Sequence, residues 1–286
     1  MKKENPGEFI RSKIRKFVAS PSNTMKKWDN EKAWGDPIVG FSSGADPLYK
    51  FYKKDIGDFY ISPLEFLLHH YPDTNMEENK ITVISWILPQ TEWTKKDHRG
   101  ETHFPSERWA RSRIFGEEFN VKLRQYVADL LINMGIKAVA PMLSPLYVEK
   151  LSPKYGRASN WSERHAAYAA GLGSFGLSDG LITPVGKAMR AGSIVANMYV
   201  EPTERKYENH NAYCLFYMKN RCGKCIDRCP IGAITENGHD KALCSRYVGM
   251  TRKYVEKHYG FKGYGCGLCQ TDVPCESRIP EELILR

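Results

Sequence analysis

The chain has 286 residues, 42% hydrophobic and 26% charged, with 42 Lys and Arg against 33 Asp and Glu for a formal charge of +9. It is long enough to bury one large core or two, and no stretch approaches the ~20 apolar residues that span a bilayer. Met1-Lys2-Lys3 leads into polar residues rather than the apolar run of an export signal, so the expectation is a cytoplasmic protein with no membrane partner.

In chain order, Phe9 to Ser20 places Ile10, Ile14, Phe17 and Val18 at helical spacing with Lys and Arg between them, an amphipathic surface helix. Pro37 to Phe41 reads as a short strand. Ser62-Pro63-Leu64-Glu65 is a capping-box pattern with Pro at the first helical position, opening a helix toward His69 and His70. Ile81 to Leu88 is a continuous apolar run suited to a buried strand. After a loop from Pro89 to Phe104, Pro105 starts a long helix with Phe115, Phe119, Leu123, Val127 and Leu131 on one face and Gly135 as its stop signal. Ile136 to Ala140 is the next strand, so residues 81–140 predict a β-α-β unit with two parallel strands.

Residues 141–160 contain three prolines and little periodicity, the pattern of a functional loop. Trp161 to Ala170 is a small-residue helix closed by Gly171-Leu172-Gly173-Ser174-Phe175-Gly176. The spacing matches G-x-G-x-x-G, but a dinucleotide fingerprint needs a strand before it and a helix after it. Here a helix precedes and a turn follows, so these glycines end a helix and let backbone approach something flat or large. Leu181 to Thr183 and Gly192 to Met198 predict two more strands, and Glu201 to Asn211 a linker.

All eight cysteines come after that linker: Cys214, Cys222, Cys225, Cys229, Cys244, Cys266, Cys269 and Cys275. Cys222-x2-Cys225-x3-Cys229-Pro230 is the second half of C-x2-C-x2-C-x3-C-P, whose thiolates hold cubane iron-sulfur clusters and whose fourth Cys crosses to the other cluster. Eight thiols make two full ligand sets. Structural zinc and disulfides are the alternatives. Zinc sites usually pair two C-x2-C knuckles, and disulfides need an oxidising compartment. Two oxidised cubanes with their thiolates would each carry about −2 and bring the net charge to about +5, which leaves the basic excess weak ground for nucleic-acid binding.

From Ser162-Glu163-Arg164-His165-Ala166-Ala167-Tyr168-Ala169-Ala170-Gly171-Leu172-Gly173-Ser174-Phe175-Gly176 and the later Cys222-Gly223-Lys224-Cys225-Ile226-Asp227-Arg228-Cys229-Pro230, the sequence resembles the epoxyqueuosine reductase and reductive dehalogenase superfamily. The resemblance is clear from Trp161 onward; over Ile38 to Ala140 only the order of elements agrees. It implies an α+β protein: a nitroreductase-like α/β domain over residues 1–205 holding base-off cobalamin, then a bacterial ferredoxin-like domain over residues 206–286 with two 4Fe-4S clusters. It puts Gly171, Gly173, Ser174, Phe175, Gly176 and Arg164 near the corrinoid. The crossed ferredoxin pattern assigns Cys222, Cys225 and Cys275 to one cubane and Cys229, Cys244, Cys266 and Cys269 to the other. The family's first cysteine, three residues before Cys222, is Lys219 here, which leaves Cys214 for the first set and an incomplete or three-iron cluster as the alternative.

Proton delivery departs from the family as well. Epoxyqueuosine reductases carry an aspartate seven residues before the Arg of the Glu-Arg pair, and Arg157 stands there in this chain. Reductive dehalogenases use a tyrosine with a basic partner, which makes Tyr155, Tyr147 and Arg157 the catalytic candidates; Glu163 and Arg164 read as a helix-start pair. The sequence stops eleven residues after Cys275, without the helical-repeat region that aids tRNA binding in many epoxyqueuosine reductases.

The expected function is a corrinoid-dependent iron-sulfur reductase that cleaves a carbon–heteroatom bond in a small molecule, fed by a low-potential donor of ferredoxin or flavodoxin type. Epoxyqueuosine reduction on tRNA and a non-enzymatic electron carrier to a corrinoid protein are the alternatives. A carrier needs no substrate cavity, so a cavity of that size by the glycine run argues against it.

Overall fold

A computed structural model describes residues 5–284; the Met1-Lys2-Lys3 start lies outside them. α1 (Pro6–Val18) begins where the Asn5 side chain accepts hydrogen bonds from the Gly7 and Glu8 amides, and its apolar stripe buries Ile10, Ile14 and Val18. β1 (Ile38–Ser43) is followed by α2 (Pro47–Ile56), and α3 (Pro63–His70) opens with the capping box of Ser62 and Glu65. β2 (Thr82–Pro89) is the buried apolar run. The expected loop after it contains α4 (Glu92–Arg99), whose inner face is Thr94, Lys95 and His98. A helix that buries polar residues carries no apolar periodicity to reveal it.

α5 (Glu107–Asn133) gives way to Gly135, whose φ of +80° suits a glycine stop. β3 (Ala138–Val139) follows, and β4 (Glu149–Ser152) pairs with β5 (Gly156–Ser159) as a hairpin within the stretch expected to be irregular. α6 (Glu163–Ala169) ends in a Schellman pattern: the Gly171 amide donates to Tyr168 O, the Leu172 amide to Ala167 O, and Gly171 has φ +73°. Then come β6 (Ser174–Phe175), β7 (Leu181–Ile182) and β8 (Met189–Ala196). The cysteine-bearing segment holds α7 (Leu215–Lys219), α8 (Lys224–Asp227), β9 (Ile234–Thr235), β10 (Gly238–His239) and α9 (Lys241–Tyr259). Among the described residues no helix is long and apolar enough to cross a membrane.

The main sheet runs β1-β2-β8-β3, with every neighbouring pair antiparallel. This corrects the predicted β-α-β unit. β2 and β3 do run in the same direction, but β8 is inserted between them. β8 is buried along its last six residues and therefore takes a central position. Its Gly192 is required there, because a Cβ would lie 2.3 Å from the Trp86 indole on β2. One face of the sheet packs on α1 and α5 through Ile14, Phe41, Phe119 and Leu123, and the other on α2, α3 and α6 through Tyr49, Phe66 and Trp161.

The C-terminal loop returns to this body. The Lys187 and Ala188 amides, just before β8, donate to Cys275 O and Glu276 O. From α4, Arg99 grips the Glu276 carboxylate with Nε at 2.9 Å and Nη2 at 2.5 Å, and Lys95 donates to Ser277 Oγ at 2.8 Å. Gly186 is where the backbones touch: its φ is +82° and a Cβ would sit 2.0 Å from Glu276 O. Gly186→Ala is expected to cost about 1–3 kcal/mol through overpacking, with a further ~1 kcal/mol for the left-handed backbone. A thermal melt compared with wild type checks it.

Candidate functional site

The eight thiols divide between two cavities. Cys214, Cys222, Cys225 and Cys275 line a narrow one of about 20 Å3, together with Gly176 and Lys187. Cys229, Cys244, Cys266 and Cys269 line part of a larger, partly open one of about 330 Å3. The short C-x2-C-x3-C run is therefore split, with Cys225 facing one cavity and Cys229 the other. The closing loop is split as well, and its extra residues separate Cys269 from Cys275. Burial pushes the Cys225 and Cys244 thiols up to about 11 and the Cys266 thiol up to about 12, so bare they would stay protonated, and a bound metal would be what holds them as thiolates. The Ala233 amide donates to Cys229 Sγ at 3.2 Å. Four thiols per cavity, all buried or half-buried except the exposed Cys222, suit the donor set of a cubane. Among the described residues no three His, Cys, Asp or Glu side chains converge as they would around a single metal ion; a cubane spreads its thiolates over four irons.

Lys187 is the residue between the two sets that sequence reasoning missed. It is 3% exposed and its Nζ donates to Ser178 Oγ at 3.0 Å. Burial disfavours its charge, but Cys275, Cys269, Cys225 and Cys214 outweigh that and its pKa is raised. Those thiols come from both cavities, and no carboxylate lies within salt-bridge distance of the ammonium among the described residues. A lysine within the largely apolar stretch 181–196, with no acidic residue near it in sequence, was the available signal.

The larger cavity has aromatic walls from Trp34, Trp109, Tyr247 and Tyr264, and it is lined by Arg113, Arg164 and Arg190 but by no Asp or Glu. Arg190 pairs with Glu117, which also receives Arg124; Arg124 in turn holds Glu163 with Nε at 2.7 Å and Nη2 at 2.6 Å. Glu163 is thus a structural anchor of α6 and accepts the Ser193 amide of β8 at 3.0 Å. Arg164 is not part of that network; it is exposed, lines the cavity, and donates to Asp179 O at 2.5 Å. Arg113 donates to the Tyr264 hydroxyl oxygen at 3.0 Å. Gln90 borders the same cavity, and its Oε1 is a buried acceptor with no partner among the described residues. A corrinoid is fringed by amide side chains and carries a phosphate, so the guanidinium donors of Arg164 and Arg190 fit such a ligand chemically, and the open mouth leaves room for one larger than the cavity.

The predicted catalytic group lies elsewhere. Tyr147, Tyr155 and Arg157 are on or next to the β4–β5 hairpin, and none borders either cavity. Tyr155 donates to Asp55 Oδ2 at 2.7 Å, while Arg157 donates to Glu149 at 2.6 Å and to Ser245. A tyrosine with a basic partner does face the larger cavity, but it is Tyr264 with Arg113, 151 residues apart in sequence. Of the residues expected near a corrinoid, Arg164 lines the larger cavity and Gly176 the narrow one. Gly171, Gly173, Ser174 and Phe175 line neither. Their close approaches are to protein: a Cβ on Gly171 would be 2.7 Å from Glu204 O and one on Gly173 2.3 Å from Ile182 O. Ser174 Oγ accepts the Tyr213 amide, and the Phe175 amide donates to His210 O.

No family model matches the chain. A segment of 122 residues, 40% of the chain, is 30% identical to epoxyqueuosine reductase of Bacillus anthracis and covers 29% of it. The protein of the same name from Staphylococcus aureus is 29% identical over 127 residues, 31% of its length. The matched part thus spans less than a third of these curated relatives. In fold, epoxyqueuosine reductase from Bacillus subtilis superposes with a TM-score of 0.51 at 17% identity, over 96% of this chain and 68% of that one. A catabolic reductive dehalogenase in complex with 3-bromo-4-hydroxybenzoic acid gives 0.53 at 15% identity, over 96% and 37%. The chain is thus similar over part of its sequence to the first of these enzymes, and it shares a fold with both. That fold is a mixed helix-and-sheet one, and another reductive dehalogenase structure, with a TM-score of 0.51 at 15% identity, is described as suggesting a mechanism for B12-dependent dehalogenation.

Proposed function

We propose that this protein is an iron-sulfur reductase that cleaves a carbon–heteroatom bond in a small substrate, with Cys214, Cys222, Cys225 and Cys275 holding one 4Fe-4S cluster and Cys229, Cys244, Cys266 and Cys269 the other. What carries the reading is the cavity of about 330 Å3 whose wall includes four of the thiols. Its volume lies at the low end of small-ligand sites, roughly 300–1,000 Å3; it opens beside Arg164 rather than under Gly171 to Gly176, and a cluster on the four thiols would take up part of it. A corrinoid bound there would supply the reductive bond cleavage itself. Arg164 and Arg190 would hold it.

The rest is the work of this chain. Trp34 and Trp109 keep the reacting end dry. The thiol set in the wall puts a cluster against whatever occupies the cavity. Tyr264 is the hydroxyl placed to give a proton: Arg113 donates to its oxygen, which leaves the O–H free to point into the cavity. Arg157 stands where epoxyqueuosine reductases carry their acid and is occupied by Glu149 and Ser245, which favours a small molecule over epoxyqueuosine in tRNA.

Anaerobically purified protein is expected to show a broad cluster shoulder in the visible spectrum and, after addition of cobalamin, a base-off corrinoid band that stays with the protein through gel filtration. Protein that holds iron and sulfide but never retains cobalamin would remove the corrinoid from this reading.

A further inference from the structure

The two thiol sets differ in where they lie. Cys229, Cys244, Cys266 and Cys269 border the large cavity, whereas the other set reaches the protein surface at Cys222, the one exposed cysteine of the eight. The turn that carries Cys222 is bent outward by three residues with positive φ, Asn220 at 51°, Cys222 at 88° and Gly223 at 125°. Two of them are not glycine, and such backbone is held only where the surrounding fold imposes it. Around the thiol, Lys219, Arg221 and Lys224 are exposed, and Tyr217 is 48% exposed. The one acid within the turn and α8, Asp227, is 3.7 Å from Lys224. Pro280 borders the same narrow cavity; beyond it Glu281 is paired with Arg278 at 2.8 Å, and Glu282 is exposed.

We infer that the surface formed by Tyr217, Lys219, Arg221 and Lys224 around Cys222 is the docking site of an acidic, low-potential electron carrier. The inference rests on the proposed clusters and adds to them the direction of flow, from the surface set to the cavity set. At this surface one electron leaves the reduced carrier, which is oxidised, and one arrives at the cluster held by the Cys222 set, which is reduced; no bond or proton moves. A basic rim around an exposed redox group steers an acidic partner into register and raises its encounter rate, an effect that added salt screens. The exposed Tyr217 ring supplies apolar contact beside the charges.

The test follows cluster bleaching by stopped flow under anaerobic conditions with three reductants: a reduced acidic two-cluster ferredoxin, a reduced flavodoxin and a net-neutral sulfonated viologen. In the combined Lys219→Glu, Arg221→Glu and Lys224→Glu variant, the rate with at least one of the protein carriers should fall about tenfold or more at low ionic strength, and its salt dependence should flatten. The viologen rate should be unchanged, and Lys16→Glu on α1 should behave as wild type. Carrier rates equal to wild type, or a viologen rate slowed to the same extent, would overturn the docking site. If the combined variant loses iron, Lys219→Glu alone is judged by the same two criteria. Wild-type protein without iron and sulfide would instead overturn the cluster reading, and the docking site with it.

Discussion

Cys214→Ser is expected to lower iron and acid-labile sulfide to roughly half of wild type, because a cubane site needs four thiolates and this change leaves one of the two sets with three. The other set, around Cys244 and Cys266, should keep its spectrum. Cys214 lies eight residues before Cys222, well outside the usual ferredoxin spacing, and sequence left it the least secure of the eight. In the fold it caps α7, is 8% exposed, and lines the same narrow cavity as Cys222, Cys225 and Cys275. The intervening helical turn shortens the distance that the extra residues would otherwise span. Iron content equal to wild type would remove Cys214 from the ligand set. Loss of all iron would mean that the two sets do not assemble independently.

Lys187→Met should lower the reduction potential of the Cys214 set, with a smaller effect on the set containing Cys269. Methionine keeps the length and the apolar packing of the lysine stem and removes only the charge. Adding an electron makes a cluster more negative, and a buried cation beside it favours that state; the protein interior screens the attraction poorly. A tenfold change in the reduction equilibrium, a reasonable scale for one buried charge, corresponds to 59 mV for a one-electron couple. Potentiometric titration followed by electron paramagnetic resonance reads both clusters at once. Lys187→Arg should restore most of the potential. Equal potentials in wild type and Lys187→Met would show that the Ser178 bond, not the charge, is why the lysine is buried there.

Local pattern was the part of this protein open to reading in one dimension. The capping box at Ser62, the stripe of α1, the apolar run of β2 and the glycine stop at Gly135 each depend on neighbours within a few residues, and each formed where expected. The count of eight thiols, and the way Cys225 and Cys229 face different cavities, follow from short spacings in the same way. α4 and the β4–β5 hairpin were not legible, because α4 buries Thr94, Lys95 and His98 and the hairpin is mostly exposed, so neither carries a hydrophobic period.

Everything that turns two sets of four thiols into a candidate reaction site depended on contacts between distant residues. Tyr155 and Arg157 satisfied a motif but stand on a hairpin away from both cavities, whereas Tyr264 and Arg113 satisfied none and meet in the larger one. The glycine run suggested a close approach without saying to what, and the fold answers with the carbonyls of Glu204 and Ile182. Sequence by itself determined the donor set, eight thiols, because thiols are countable and their spacing is local. Only the tertiary structure decided where that chemistry faces, since a cavity wall and the buried Lys187 are brought together by β8 and the returning C-terminal loop, and burial is a property of the whole chain.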